Sequence, residues 1–127
     1  MTRKILVIDD DMAVRKSFIL AFEGTDYQVD VAESGMKGIK MHHHVSYDLI
    51  FLDLKMSELN GVETLRKLRK IDPVVPIYII TSFHEEFFDQ LKDTENEGID
   101  FQVLRKPLSR DQILLITQGV LKGAVAY

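Results

Sequence analysis

Lys4-Ile5-Leu6-Val7-Ile8-Asp9-Asp10-Asp11 runs four consecutive apolar residues straight into three aspartates. A strand that is apolar on both faces has to be buried on both faces, which is the situation of an inner strand in a parallel sheet covered by helices on either side. Two later segments have the same character: Leu49-Ile50-Phe51-Leu52, ending in Asp53, and Ile77-Tyr78-Ile79-Ile80, ending in Thr81-Ser82. Gln28 to Ala32 and Phe101 to Arg105 instead alternate polar with apolar residues, as strands with a wetter face or an open edge do. The predicted strands are therefore Lys4 to Ile8, Gln28 to Ala32, Leu49 to Asp53, Ile77 to Thr81 and Phe101 to Arg105, with the first, third and fourth central.

Helical patterns alternate with these strands. Apolar stripes run through Val14, Phe18, Ala21 and Phe22, through Leu65 and Leu68, and through Ile113, Ile116, Val120 and Leu121; each can cover one face of a sheet. Asp11 reads as the N-cap of the first helix, Ser34 and Ser109 as caps of the second and fifth, and Ser109 with Gln112 has capping-box spacing. Right-handed crossovers and short connections then leave a five-stranded parallel sheet of order 2-1-3-4-5 with five helices, a three-layer αβα sandwich.

The chain has 127 residues, 46% hydrophobic and 28% charged, with no repeat or low-complexity tract, so a single domain over 1–127 is expected. No apolar run approaches the roughly 20 residues that cross a bilayer, and Asp9-Asp10-Asp11 interrupts the N-terminal run too early for a signal peptide. A cytoplasmic location is expected. The absence of cysteine removes disulfides, thiolate metal sites and cysteine nucleophiles. Twenty acidic against 16 basic residues give a formal net charge of −4 and no electrostatic case for nucleic acid or an anionic membrane. The one basic cluster, Arg66, Lys67, Arg69 and Lys70, reads as a solvated helix end.

Ligands of an open parallel sheet bind beyond the carboxyl ends of its strands. Here those ends carry Asp9-Asp10-Asp11, Asp53, Thr81-Ser82 and Arg105-Lys106-Pro107. Crowded carboxylates repel, and a hard divalent cation with oxygen ligands relieves them. Mg²⁺ suits such a set, with Mn²⁺ as a substitute, and a site of this kind is prepared for phosphate chemistry. Asp53 can serve as nucleophile, Lys106 can pair with a transferred phosphoryl group, and the Thr81 hydroxyl can donate to another of its oxygens. Each residue alone has an ordinary structural role; their joint placement carries the reading.

As a set, Ile8-Asp9-Asp10-Asp11, Asp53-Leu54-Lys55-Met56 followed by Gly61, Thr81-Ser82 and Lys106-Pro107 closely resemble the response regulator receiver family of two-component signalling, from Lys4 to about Leu121. The resemblance implies a flavodoxin-like fold and Mg²⁺ held by Asp9 or Asp10, by Asp53 and by the backbone carbonyl of Lys55. It implies phosphoryl transfer to Asp53 from a histidine kinase or histidine phosphotransfer protein, with Asp53 and Lys106 as the groups acting in that chemistry. It also implies a switch at Thr81-Ser82 and Lys106-Pro107, whose peptide bond is often cis in such proteins. The output would be a changed surface around the fourth helix, fifth strand and fifth helix, engaging a downstream protein or a phosphorylation-dependent homodimer. On this reading the domain is regulatory, not an enzyme in its own right.

Several positions depart from the family pattern. Val103 stands where the family has Tyr or Phe, three residues before the lysine, and Phe101, two residues earlier, is the candidate replacement for that aromatic switch. Ser57 replaces a common proline. Lys55 places a cation two residues past Asp53, where side chains tune dephosphorylation.

Other features invite competing readings. His42-His43-His44 are consecutive on a helix and point in different directions, so they read as ordinary helix histidines, not as a metal site. His84-Glu85-Glu86 lacks the second histidine of a zinc-protease helix, because Phe88 stands there; it reads as the opening of the fourth helix. Phe83, Phe87, Phe88 and Leu91 exceed what one helical stripe can bury, so one phenylalanine is expected to be exposed as a partner or dimer contact. Asp9-Asp10-Asp11 also matches the opening of haloacid-dehalogenase-like phosphatases, in which Asp9 would be the nucleophile. A flavodoxin-like binding module would need a less acidic first turn, and a receiver that has lost phosphorylation would act only as a protein-interaction platform.

Overall fold

The computed structural model describes residues 2–82 and 84–122. Strands β1 (Lys4–Ile8), β2 (Gln28–Ala32), β3 (Leu49–Asp53), β4 (Ile77–Thr81) and β5 (Gln102–Arg105) alternate with helices α1 (Met12–Ala21), α2 (Gly35–His44), α3 (Gly61–Ile71), α4 (Phe88–Asn96) and α5 (Arg110–Leu121). All pairings are parallel and the order is β2-β1-β3-β4-β5, the expected flavodoxin-like αβα sandwich.

Alternation along each inner strand divides the core into two layers. Ile5, Val7, Phe51 and Ile80 pack with Phe18, Phe22 and Ile113 on the face covered by α1 and α5. Leu6, Ile8, Leu52 and Ile79 pack with Leu65, Leu68 and Leu91 on the other face. Ile5 to Ile8 and Leu49 to Leu52 are wholly buried, each side chain contributing roughly 1.5–3 kcal/mol of transfer free energy. These two inner strands therefore hold the frame that fixes the strand ends.

Local chemistry sets the helix starts. Asp11, Ser34 and Ser109 accept from the backbone N–H groups of Ala13, Lys37 and Gln112, and the Ser109–Gln112 capping box closes in both directions. Asn60, unanticipated, caps α3 through Glu63 N. The turn before it carries Glu58 in the left-handed region, at φ 63°.

Three expectations are corrected. β5 begins at Gln102, one residue later than read from the alternation, and Phe101 is half-buried ahead of it. His84–Phe87 forms a separate 3₁₀ turn before α4. The Arg66-Lys67-Arg69-Lys70 cluster is not simply solvated: Arg66 pairs with Glu97 at 2.9 Å, and Arg69 donates to the carbonyls of Val75 and Asp100 at 2.6 and 2.7 Å. Among the consecutive histidines, His42 is buried, its Nε2 lying 2.9 Å from Asp72 Oδ2 while its Nδ1 accepts from Tyr47 N; His43 and His44 are exposed. Of the aromatic group, Phe88 is 56% exposed and Phe87 half-buried, whereas Phe83 lies outside the described residues.

Candidate functional site

Register brings the polar strand ends to one level: Ile8 opposite Leu52, Asp53 opposite Ile80, and Thr81 opposite Arg105. Asp9 and Lys106 follow immediately, and a cleft of about 220 Å³ opens among Asp9, Asp10, Asp11, Asp53, Lys55, Thr81, Ser82 and Lys106. Seven of the eight residues expected at the site line this cleft, Ser82 as an exposed residue of its rim; the eighth, Pro107, follows Lys106 across a cis peptide bond.

Asp9 is fully buried and held on three sides. Its N–H donates to Ala32 O, its Oδ1 accepts from Asp11 N at 2.9 Å, and its own carbonyl accepts from Arg15 Nη1 at 2.9 Å. The remaining oxygen, Oδ2, lies 2.8 Å from Lys106 Nζ, an ion-pair contact that is not aligned as a hydrogen bond. Lys106 Nζ also donates to Asp53 Oδ1 at 3.2 Å. One ammonium is thus shared between two carboxylates, with Asp10 nearby at the surface.

That imbalance shows in the ionisation of Asp53. Burial first, then the negative charge of Asp9, push its carboxyl up to about 6, while Lys106 pulls it down and Asp10 pushes further up. Burial alone would lower the pKa of Lys106, but the close contact with Asp9 and the negative charges of Asp53 and Asp9 outweigh it, and the net shift is upward. The lysine therefore stays cationic while the carboxylates remain under-compensated.

Carboxylate oxygens of Asp9, Asp10 and Asp53 lie within 4.8 Å of one another. The donors are all oxygen, one buried oxygen lacks a hydrogen bond, and the excess charge is negative, so the residues fit a hard divalent cation such as Mg²⁺. Lys55, which lines the cleft, pairs through its Nζ with Glu86 Oε1 at 3.3 Å.

Thr81 is buried at the end of β4, and its carbonyl accepts from Lys106 N at 3.1 Å, tying the ends of β4 and β5 together. Val103 sits opposite Ile79 and is 38% exposed. Phe101 packs with the α3 and α4 side of the core at the other end of β5, ahead of the residue opposite Tyr78. Phe101 lies four positions before Arg105, the partner of Thr81, so it stays away from the cleft, and neither Phe101 nor Val103 lines it.

The roles of Arg15 and Glu86 were missed by sequence reasoning, and Gly61 was read there only as part of a motif, without its packing role. Arg15 falls one turn into α1, facing back on the strand end, and only its spacing from Asp11 hinted at this. At Gly61 a Cβ would collide with the carbonyl oxygen of Asp53; only glycine lets α3 start so close behind the acidic residue.

A parallel sheet of this order with an acidic cleft and a lysine at its strand ends defines a class of signalling domain. The chain belongs to the response regulator receiver domain family, which matches residues 5–118. It is 33% identical over 121 residues to the transcriptional regulatory protein ResD of Bacillus subtilis, covering 95% of this chain and 49% of ResD. It is 31% identical over 109 residues to the transcriptional regulatory protein GlrR of Escherichia coli, covering 86% and 24% respectively. The chain thus spans about a quarter to a half of the length of these curated relatives. Among solved structures, a CheY-like response regulator receiver domain protein from Methanospirillum hungatei superposes with a TM-score of 0.83 at 25% identity, covering 96% of this chain and 95% of that one. The receiver domain of the Francisella response regulator 1452 gives 0.77 at 29% identity, covering 94% and 97%. As a receiver domain of two-component response regulators, it is a regulatory phospho-acceptor domain and not a conventional enzyme.

Proposed function

We propose that residues 1–127 form a single cytoplasmic switch domain in which Asp53 takes a phosphoryl group from a phosphohistidine donor in a Mg²⁺-dependent reaction. The carrying observation is the shared ammonium: Lys106 Nζ touches both Asp9 and Asp53, leaving three clustered acidic residues short of positive charge. Asp9, Asp10 and Asp53, with the Lys55 carbonyl, would hold the ion. When bound, Mg²⁺ neutralises carboxylate charge and polarises phosphoryl oxygens.

An Asp53 carboxylate oxygen attacks phosphorus, and the imidazole of the donor leaves. Lys106, drawn from its carboxylate partners, pairs with the new phosphoryl group as a compact charge. The Thr81 hydroxyl donates to another phosphoryl oxygen, and because the Thr81 carbonyl already binds Lys106 N, movement at one strand end is felt at the other. Ser82 and Pro107 move with them, and the surface of α4, β5 and α5 changes toward a downstream protein or a homodimer. Val103 in place of an aromatic leaves this coupling to a smaller side chain. The donor is a histidine kinase or histidine phosphotransfer protein.

No described helix is long and apolar enough to cross a membrane, and the acidic net charge favours protein partners over nucleic acid or lipid. The test is beryllofluoride with Mg²⁺, monitored by NMR: the reading expects linked changes at Asp53, Thr81 and Lys106 that reach α4. Changes confined to Asp53 would reject the switch. Trapping of the acyl phosphate on Asp9 would favour the phosphatase reading.

Lys55 is the proposed modulator of acyl-phosphate lifetime, through its ion pair with Glu86 at the cleft mouth. An unchanged decay rate in Lys55→Asn would remove it from that role.

A further inference from the structure

We propose that the outer groove between α2 and α3 is a docking site for α4 of a second copy of this chain, so that copies associate head to tail. This rests on residues apart from the acidic cleft. Helices α2 and α3 hold six lysines and arginines against one acidic residue, Glu63, in a chain where acidic residues outnumber basic ones 20 to 16. Arg66 and Arg69 are engaged with Glu97 and backbone carbonyls, and Lys37 reaches Glu33 at 3.4 Å. Lys40, Lys67 and Lys70 form no ion pair among the described residues, so this face carries uncompensated positive charge.

Beside that charge lies apolar surface. A groove of about 810 Å³ is lined by Met36, Ile39 and Ile71 together with Lys37, Lys40 and His43. Met36 is 57% and Ile71 is 42% exposed, and Lys67 stands one turn before Ile71 on α3. The groove thus asks for an apolar side chain flanked by carboxylates.

The exposed side of α4 has that composition. Phe88 is 56% exposed, with the Lys92 ammonium 5.6 Å from its ring centroid, and Asp89 and Asp93, one turn apart and both exposed, make no ion pair among the described residues and outnumber that one cation. An apolar floor suits a phenylalanine ring better than the phosphates of nucleic acid or lipid, and the row of acids matches the lysines in sign and helical spacing.

Topology excludes the contact within one chain. α2 and α4 lie on the same side of the sheet, but β2 and β5, the strands next to them, are its two edges. A groove near one edge and a helix at the other can meet only between copies, through unlike surfaces, and such contacts repeat instead of closing on a two-fold axis.

Sedimentation velocity of the full chain over a concentration series tests this. The parent is expected to show a weight-average sedimentation coefficient that rises with concentration and falls back at high salt. Lys37→Glu with Lys40→Glu, and separately Phe88→Ser, should each weaken association at least about tenfold, with melting curves confirming that both fold. If either variant misfolds, Lys40→Gln and Phe88→Leu serve, with intermediate losses expected. Mixed together, the groove variant and the α4 variant each retain one intact surface, so they should form one-to-one heterodimers and nothing larger. A monomeric parent at all concentrations, association untouched by these substitutions, or a mixture that stays monomeric would overturn the proposal, the last by pointing to a symmetric contact. Loss of association alongside binding of the parent to duplex DNA or anionic vesicles through Lys37 and Lys40 would overturn it in favour of those ligands.

Discussion

Lys106 Nζ lies 2.8 Å from Asp9 Oδ2, so a lysine delivered by the end of β5 compensates a carboxylate buried at the end of β1. The same ammonium reaches Asp53 at 3.2 Å, and no second cation shares the task at these distances among the described residues. Asp9 and Asp53 are consequently balanced by one charge between them.

Replacing Lys106 with Met leaves both carboxylates facing each other. The expected loss is roughly 1–3 kcal/mol of unfolding free energy near neutral pH, the range for stranding a buried polar group. Urea denaturation with EDTA measures it, and added Mg²⁺ should recover part of the loss. Equal stability of the variant and the parent under both conditions would show that Lys106 contributes no charge compensation.

Asp53 should make metal-free stability depend on pH in a defined direction. Its folded pKa, about 6, exceeds the ordinary aspartate value of 3.8, so between these values the folded state binds more protons than the unfolded one. Keeping Asp53 ionised therefore costs stability above about pH 6, and the cost fades as pH falls toward about 4. Asp53→Asn should be more stable than the parent at about pH 7.5, with the difference shrinking at about pH 4.5. Thermal melts in EDTA check this; a difference that does not change with pH contradicts it.

Gly61→Ala forces a Cβ against the Asp53 carbonyl, which is backbone and cannot rotate aside. We expect about 1–3 kcal/mol of destabilisation, as for overpacking elsewhere. Amide resonances of Asp53 and Leu54 should shift, because Gly61 N also donates to Leu54 O at 2.8 Å. Unchanged stability and spectra would refute the close-packing role.

Asp72 organises the turn after α3. Burial acts to raise its pKa, but hydrogen bonds from Val74 N, His42 and Val75 N outweigh it, and the net shift is downward. A depressed carboxyl contributes stability above its unfolded pKa and loses it as pH falls through the folded value. Asp72→Ala should cost roughly 1–2 kcal/mol near neutral pH through its lost hydrogen bonds, and less under strongly acidic conditions. Denaturation at the two extremes decides it; a penalty that grows on acidification has the wrong sign.

Most of the frame was legible in the sequence because the signals were local. Continuous apolar runs marked β1, β3 and β4, alternation marked the edges, and Ser34 and Ser109 announced their helices. The placement of Asp9, Asp53, Thr81 and Lys106 followed from strand ends, which any parallel sheet brings to one side. What escaped depended on distance across the fold. Nothing near Arg69 in sequence signals that it will bind the carbonyls of Val75 and Asp100, and nothing near His42 signals Asp72, thirty residues away. The start of β5 was misplaced because Phe101 continues the alternation while packing into the core just before the ladder begins.

The central claim, attack by an Asp53 oxygen at a site charge-balanced by a divalent cation, is tested most directly by incubating the protein with labelled acetyl phosphate, with Mg²⁺ and with EDTA. Label should appear at residue 53 only when Mg²⁺ is present, and Asp53→Asn should take up none. Undiminished labelling of Asp53→Asn, or of the parent in EDTA, would contradict the account.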